Sequence, residues 1–295
     1  MHVAISGASG LIGTALTEHL TKQGHTVSHL VRRPARTPLE ISWNPVTGEL
    51  DPASLNDIHA VVNLSGAGVG DHRWTSAYKK TILDSRVTST RTIARAMAAN
   101  PEGPRVLING SAIGIYGDRG DERINETSPR GAGFLADVVE QWEAAAAPAL
   151  EAGIRVVYAR TGLVLTPKGG AFKKLLPLFK LGLGGVIAGG KQFWSFISLT
   201  DEVRALQFLI ETNISGPVNL TAPNPVTNAE VTRALSHALK RPALLPVPGF
   251  ALDIVLGEFS KDITTGANIH PDALSAAGFT WEHPTIEAAI TAEVL

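Results

Sequence analysis

Three glycines near the start constrain this chain more than any other feature. Val3-Ala-Ile-Ser-Gly7-Ala-Ser-Gly10-Leu-Ile-Gly13 sets glycine at i, i+3 and i+6. The apolar run Val3, Ala4, Ile5 predicts a buried strand. Ile12, Leu16 and Leu20 then recur at helical spacing up to a stop at Gly24. Strand, glycine turn and helix together form the context in which such a motif holds a dinucleotide. Gly7 permits the tight turn, Gly10 lets backbone approach a pyrophosphate, and Gly13 lets the helix pack close to the strand. The helix N-terminus then offers free N–H groups and a positive dipole end to phosphate.

The 295 residues suffice for one large α/β domain with an appended part, or for two domains. Net charge is −1 and 18% of residues are charged, which points to no extended basic nucleic-acid surface and no acidic tail. Cysteine is absent, so disulfides, thiol chemistry and cysteine-built zinc sites are excluded, and no metal site is expected. A first strand at residue 2 or 3 leaves no room for a signal peptide. No apolar run reaches the roughly 18 residues of a membrane span. These observations predict a soluble cytoplasmic protein with neither a nucleic-acid nor a membrane partner.

A second strand, 25–31, ends at Val31-Arg32-Arg33-Pro34. In a dinucleotide fold this end lies beside the adenosine ribose, where an acid would hold the 2′-hydroxyl of NAD. Two guanidiniums suit a 2′-phosphate instead, by charge and by fork geometry, and favour NADP(H). The next acid, Glu40, stands further along than such a role expects. Pro45 and Gly48 predict a small hairpin within 40–51. Ala60-Val-Val-Asn-Leu64 reads as a third buried strand, and its small-residue end Ser65-Gly66-Ala67-Gly68 would let a cofactor lie against backbone.

A long helix follows Arg73-Trp74-Thr75, with Leu83, Val87, Thr90, Ala94 and Met97 as its core stripe and Arg86 at the stripe's edge. Val106-Leu-Ile-Asn109 is a fourth strand leading into Gly110-Ser111-Ala112-Ile113-Gly114-Ile115-Tyr116-Gly117. Ser111 and Tyr116 are polar groups where α/β sheets build their sites, although a plain loop serine and a packed tyrosine read equally well. Residues 118–130 read as a surface loop. A helix from about Ala132 to Gly153 and a fifth strand at 154–158 complete an alternation that predicts a parallel, doubly wound sheet. Beyond Pro167 the stretch 168–185 turns glycine-rich, apolar and basic, readable as a pocket wall or as an amphipathic helix with solvated lysines. From Gly216 the chain is proline-rich with short helices.

Together these motifs resemble the extended short-chain dehydrogenase/reductases of nucleoside-diphosphate-sugar-epimerase type. More narrowly, they resemble the atypical epimerase-like branch with a small extra C-terminal domain. The resemblance rests on Gly7-x-x-Gly10-x-x-Gly13, Asn63-Leu-Ser-Gly66, Arg73-Trp74-Thr75, Ser85-Arg86 and the Ser111-to-Gly117 loop. It continues through Trp142-Glu-Ala-Ala, Arg160-Thr-Gly, Gly182-Leu-Gly-Gly185, the stretch from Thr221 to Glu230 and Ala277-Gly278-Phe279, nearly the whole chain. It implies a Rossmann-type domain over 1–165, with 196–220 returning to it, and a smaller mixed C-terminal domain over 166–295 that receives a substrate or a partner. It implies a glycine turn of Gly7, Ser9, Gly10, Leu11, Ile12 and Gly13 at the pyrophosphate, and Arg32 with Arg33 at the 2′-phosphate. Leu64, Ser65 and Gly66 would line adenine and ribose, and Arg86 would reach back to the cofactor.

At the catalytic pair the chain departs from that family, as it does in lesser ways at Ser198 and at Gly266-Ala267-Asn268. The usual Tyr-x-x-x-Lys pair, in which the tyrosine is the acid/base, reads here Phe134-Leu-Ala-Asp-Val138. None of Tyr78, Tyr116 and Tyr158 has lysine four residues later. The leading expectation is an NADP(H)-dependent oxidoreductase of unknown small-molecule substrate, with Ser111 bonding a substrate oxygen and Tyr116, or Asp137 through water, moving the proton. A non-catalytic NADP(H)-binding sensor and a nucleotide-sugar epimerase are the alternatives.

Overall fold

The computed structural model describes residues 1–247 and 257–295. The first unit runs β1 His2–Ser6, α1 Leu11–Lys22, β2 Thr26–Val31, β3 Glu40–Ser42, β4 Ala60–Asn63, α2 Ser76–Ala98 and β5 Val106–Ala112. It continues with β6 Gly120–Ile124, α3 Phe134–Ala144, α4 Ala147–Glu151 and β7 Arg155–Thr161. After β8 Leu163–Leu165 come α5 Gly170–Lys180, β9 Phe193–Trp194, β10 Phe196–Ser198, α6 Leu199–Glu211 and β11 Gly216–Leu220. The chain closes with β12 Val226–Thr227, α7 Asn228–Leu239, α8 Ser260–Thr264, β13 Ala267–Ile269, α9 Asp272–Ala276 and α10 Ile286–Val294.

Seven strands form one sheet in the order β11-β7-β5-β4-β1-β2-β3, and every pairing in it is parallel. The order reverses direction at β1 and β4, which opens a crevice at the strands' C-terminal ends. Parallel strands buried on both faces read as the unbroken apolar runs in the sequence. Val3, Ile5, Leu16 and Leu20 pack with Val203, Leu206 and Leu209 of α6 on one face. Ala4, Val61, Ile93, Met97 and Ala149 pack on the other. A smaller core of Phe172, Leu176, Phe179, Phe196, Leu235 and Ile290 holds the C-terminal elements. Among the described residues no helix is long and apolar enough to cross a membrane.

Three local expectations change. The turn between Pro45 and Gly48 does fold back, through an Asn44–Glu49 bridge. Residues 40–42, however, leave the hairpin and join the sheet beside β2, with His29 opposite Glu40. The buried face of α2 is carried by Ile82, Ser89, Ile93 and Ala96 together with Thr90, Ala94 and Met97, one position round from Leu83 and Val87, which stay half-buried. The surface loop at 118–130 contains β6, which pairs with the distant β13 and so ties the C-terminal part to the first unit. Helix α6 is capped by the Ser198 hydroxyl, which accepts from the Asp201 N–H, so the acids at 201 and 202 lie inside its first turn.

Candidate functional site

The glycine turn is built by close approach. Gly7 has φ +70°, and a Cβ there would lie 2.6 Å from the Leu64 carbonyl oxygen at the end of β4. A Cβ on Gly13 would collide with the Gly7 carbonyl and stand 2.8 Å from Ala8 Cα, so only glycine lets α1 start this close to β1. Gly10 is the N-cap and supplies no side-chain cap, which leaves the first-turn N–H groups of α1 unclaimed by any cap side chain. Such a terminus is a ready anion site. Ser9 and Gly10 are exposed, while Leu11 and Ile12 are half-buried at its edge.

Beneath the turn runs a buried polar chain that sequence patterning missed. Ser6 donates to Asn63 Oδ1 at 2.6 Å, and Asn63 Nδ2 donates to Thr90 Oγ1 and Asn109 Oδ1, both at 2.9 Å. Trp142 Nε1 donates to the same Thr90 oxygen at 3.0 Å. Three strands and two helices are thereby locked in register at the crevice floor. The signal was present as polar residues ending three apolar strands, Ser6, Asn63 and Asn109. Their partnership needs the sheet order.

The two arginines after β2 part company. Arg33 forms a bidentate pair with Glu40, at 2.8 and 2.6 Å. The Arg33 guanidinium, with the Arg36 N–H, pulls the Glu40 carboxyl down to about 2. Glu40 is seven residues away in sequence but adjacent in space because β3 pairs in parallel with β2. Arg32 is exposed and has no hydrogen bond or ion pair within the protein among the described residues. Of the two cations expected at a 2′-phosphate, Arg33 is already neutralised, and Arg32 is the one left to a ligand.

The loop after β4 carries the other expected contacts. Leu64, Ser65 and Gly66 follow β4 directly, with the Ser65 N–H bonded to Asn63 Oδ1 at 3.3 Å. Arg86 lies under this loop: it donates to the Ala67 carbonyl at 2.9 Å and stacks over the Trp142 ring at 5.0 Å. Burial lowers its pKa to about 10. A Cβ on Gly66 would press on the Arg86 guanidinium at 3.1 Å, so that glycine and the arginine are fitted to each other. The Lys174 ammonium donates to the Gly70 carbonyl at 2.8 Å, and Gly169 packs on Leu11, which brings the start of α5 against both loops.

Ser111 and Tyr116 do not meet in an open site. Ser111 donates to Glu143 Oε1 at 2.6 Å. Glu143 holds Arg160 bidentately, at 2.9 Å from both Nε and Nη2. Arg160 Nη1 donates to the Tyr116 hydroxyl at 2.9 Å, and that hydroxyl donates to Asn219 Oδ1 at 2.8 Å. Tyr116 has 0% exposure, and burial raises its pKa. Burial works against the Arg160 charge, but the Glu143 carboxylate outweighs it and keeps the guanidinium protonated. Tyr116 is therefore a core residue of a polar network and cannot hand a proton to an outside substrate. Asp137 pairs with Arg130 at 2.5 Å on the exposed side of α3. The Phe134 ring meets Trp74 edge-on at 4.9 Å, and Trp74 meets Phe259 at 5.3 Å. Lys79 Nζ lies 5.0 Å over the Phe134 ring and is held by both oxygens of Glu258 at 2.6 Å. Among the described residues no group of three or more His, Asp or Glu is arranged for a metal ion.

Sequence comparison agrees with this architecture. Residues 3–221 match the NAD dependent epimerase/dehydratase family, and residues 247–293 match a domain of unknown function, DUF1731. Epimerase family protein MT2273 of Mycobacterium tuberculosis is 48% identical over 290 residues, 98% of this chain and 96% of that protein. Human epimerase family protein SDR39U1 is 33% identical over 295 residues, 98% of each. A crystal structure of the human protein with NADPH superposes with a TM-score of 0.91 at 32% identity, covering 99% of both chains. MoeE5 in complex with UDP-glucose and NAD shares the fold, with a TM-score of 0.78 at 21% identity over 99% and 97% of the two chains. The chain belongs to the NAD dependent epimerase/dehydratase family, in its epimerase-like branch with a DUF1731 C-terminal domain.

Proposed function

We propose that this chain is an NADP(H)-dependent oxidoreductase acting on a small molecule. The observation that carries the reading is the uncapped start of α1, opened by Gly7, Gly10 and Gly13, with unpaired Arg32 at the end of β2 to receive a 2′-phosphate. The human relative at 32% identity was crystallised with NADPH, which supports the same cofactor here. Gly7, Ser9, Gly10, Leu11, Ile12 and Gly13 would hold the pyrophosphate, and Leu64, Ser65 and Gly66 would line adenosine. Arg86 would set the shape of that loop from below. When bound, NADPH supplies a hydride. The chain's part is to supply the matching proton, and Lys79, over Phe134 and steered by Glu258, is the group in this reading.

Titration of the purified chain with NADPH and NADH tests the cofactor. NADPH should bind at least about tenfold tighter, and Arg32→Ala should remove most of that preference, the size of one charge-assisted contact. Equal binding of both nucleotides would sink it. A second reading, an NADP(H)-binding sensor without turnover, draws support from the sealed Ser111 and Tyr116 hydroxyls. It expects tight NADPH binding and no oxidation of bound NADPH by any carbonyl tested. A nucleotide-sugar substrate draws support only from a shared fold, which does not fix chemistry.

A further inference from the structure

Five of the ten large apolar side chains exposed among the described residues gather in one place. Leu178, Leu181, Leu183, Leu244 and Leu245 are 44, 71, 49, 82 and 51% exposed. They come from two segments far apart in sequence that run side by side. The Val247 N–H donates to the Val186 carbonyl at 2.9 Å, the Ala188 N–H to the Val247 carbonyl at 3.0 Å, and the Leu245 N–H to the Gly184 carbonyl at 3.4 Å. The Leu183 N–H donates to the Leu178 carbonyl at 2.8 Å, turning the end of α5 onto the same surface. The fold does not need these leucines: the inner face of α5 is already supplied by Phe172, Leu176 and Phe179. Contiguous exposed leucines mark a surface that meets something.

The segments that carry them hold charge of one sign, and the acids that come near, Glu230 and Glu287, line the cleft on the Lys240 side. Residues 152–200 contain no Asp or Glu, and neither do residues 231–247. Lys173, Lys180, Lys240 and Arg241 are all exposed along these two segments. The whole-chain balance of −1 hides this face, because the compensating acids lie elsewhere in the sequence. We propose that this face docks peripherally on an anionic lipid surface, the leucines entering the headgroup–acyl boundary and the basic rim facing lipid phosphates. Leucines flanked by Lys and Arg are the composition that such binding requires, and each contributes without directional contacts. A second copy of the chain fits less well, since a two-fold contact would set one basic rim against the other.

The full-length chain is mixed with vesicles of phosphatidylcholine alone or with about one-third phosphatidylglycerol, and sedimented. The expected result is co-sedimentation with the anionic vesicles only, weakening as salt rises. Leu181→Asp and Leu244→Asp should each lower the vesicle-bound partition at least about tenfold, the size of losing one buried leucine. The pair Lys180→Glu and Arg241→Glu should do the same while leaving the leucines in place. Equal binding to both vesicle types, no binding, or variants that bind like the parent would each overturn the proposal. So would a concentration-dependent dimer, lost in Leu181→Asp, in a chain that ignores vesicles.

Discussion

Glu202 offers the cleanest quantitative test of how this fold treats charge. It stands in the first turn of α6 with 0% exposure. Its Oε1 accepts from the Thr161 hydroxyl at 2.8 Å, while its Oε2 has no hydrogen-bond partner among the described residues. Burial raises its pKa to about 8, and the Thr161 bond only partly offsets that. The ordinary value, about 4.3, applies in the unfolded chain. Between those two values the folded state keeps the proton that the unfolded state has lost. Stability therefore falls as pH rises, by about 1.4 kcal/mol per pH unit for this one group. From pH 5 to pH 7 the loss is about 3 kcal/mol. Glu202→Gln keeps the size and removes the titration. The two proteins should unfold at similar denaturant concentrations near pH 5, and the variant should be the more stable by about 3 kcal/mol at pH 7. Urea melts across that range measure it. Parallel pH profiles for parent and variant would refute the reasoning, because Glu202 would then be ionised in the folded state and find a partner there.

Arg160→Met leaves the Glu143 carboxylate buried without its bidentate partner and removes a donor from Tyr116. The cost is about 3 to 5 kcal/mol, which for 295 residues lowers Tm by about 5 to 8 °C. Adding Glu143→Gln should recover part of it in a calorimetric scan, and an unchanged Tm in the single variant would count against the network. Gly13→Ala should cost about 1 to 3 kcal/mol and weaken NADPH binding by more than tenfold, since a Cβ there cannot clear the Gly7 carbonyl. Wild-type affinity in that variant would mean the α1 start is not the phosphate site.

Local pattern carried much of the architecture. Apolar runs, Gly24 and Gly153 as helix stops and the glycine turn can be read directly, because each is written in residues close together in sequence. Their alternation implies a parallel sheet through general rules of connection. Local pattern runs out where distant segments meet. Glu40 is seven residues beyond Arg33 in sequence, yet strand pairing sets the two together. Tyr116 follows a strand end, as a site residue would, but it points into the core because Asn219 and Arg160, far away in sequence, claim its hydroxyl. Over 82–89 of α2, burial falls on Ile82 and Ser89 instead of Leu83 and Val87, since a helix carrying threonines, serines and alanines has little hydrophobic contrast to fix its rotation.

The sequence by itself therefore determined the fold class and the glycine turn, which depend on residue types at short spacing, while the missing Tyr-x-x-x-Lys pair showed only against the family it resembles. Only the tertiary structure decided which arginine stays unpaired among the described residues, which hydroxyls are sealed, and that the leucines of 178–183 and 244–245 lie on segments running side by side. Charge pairing, burial and surface continuity are properties of neighbours in space, and no count along the chain contains them.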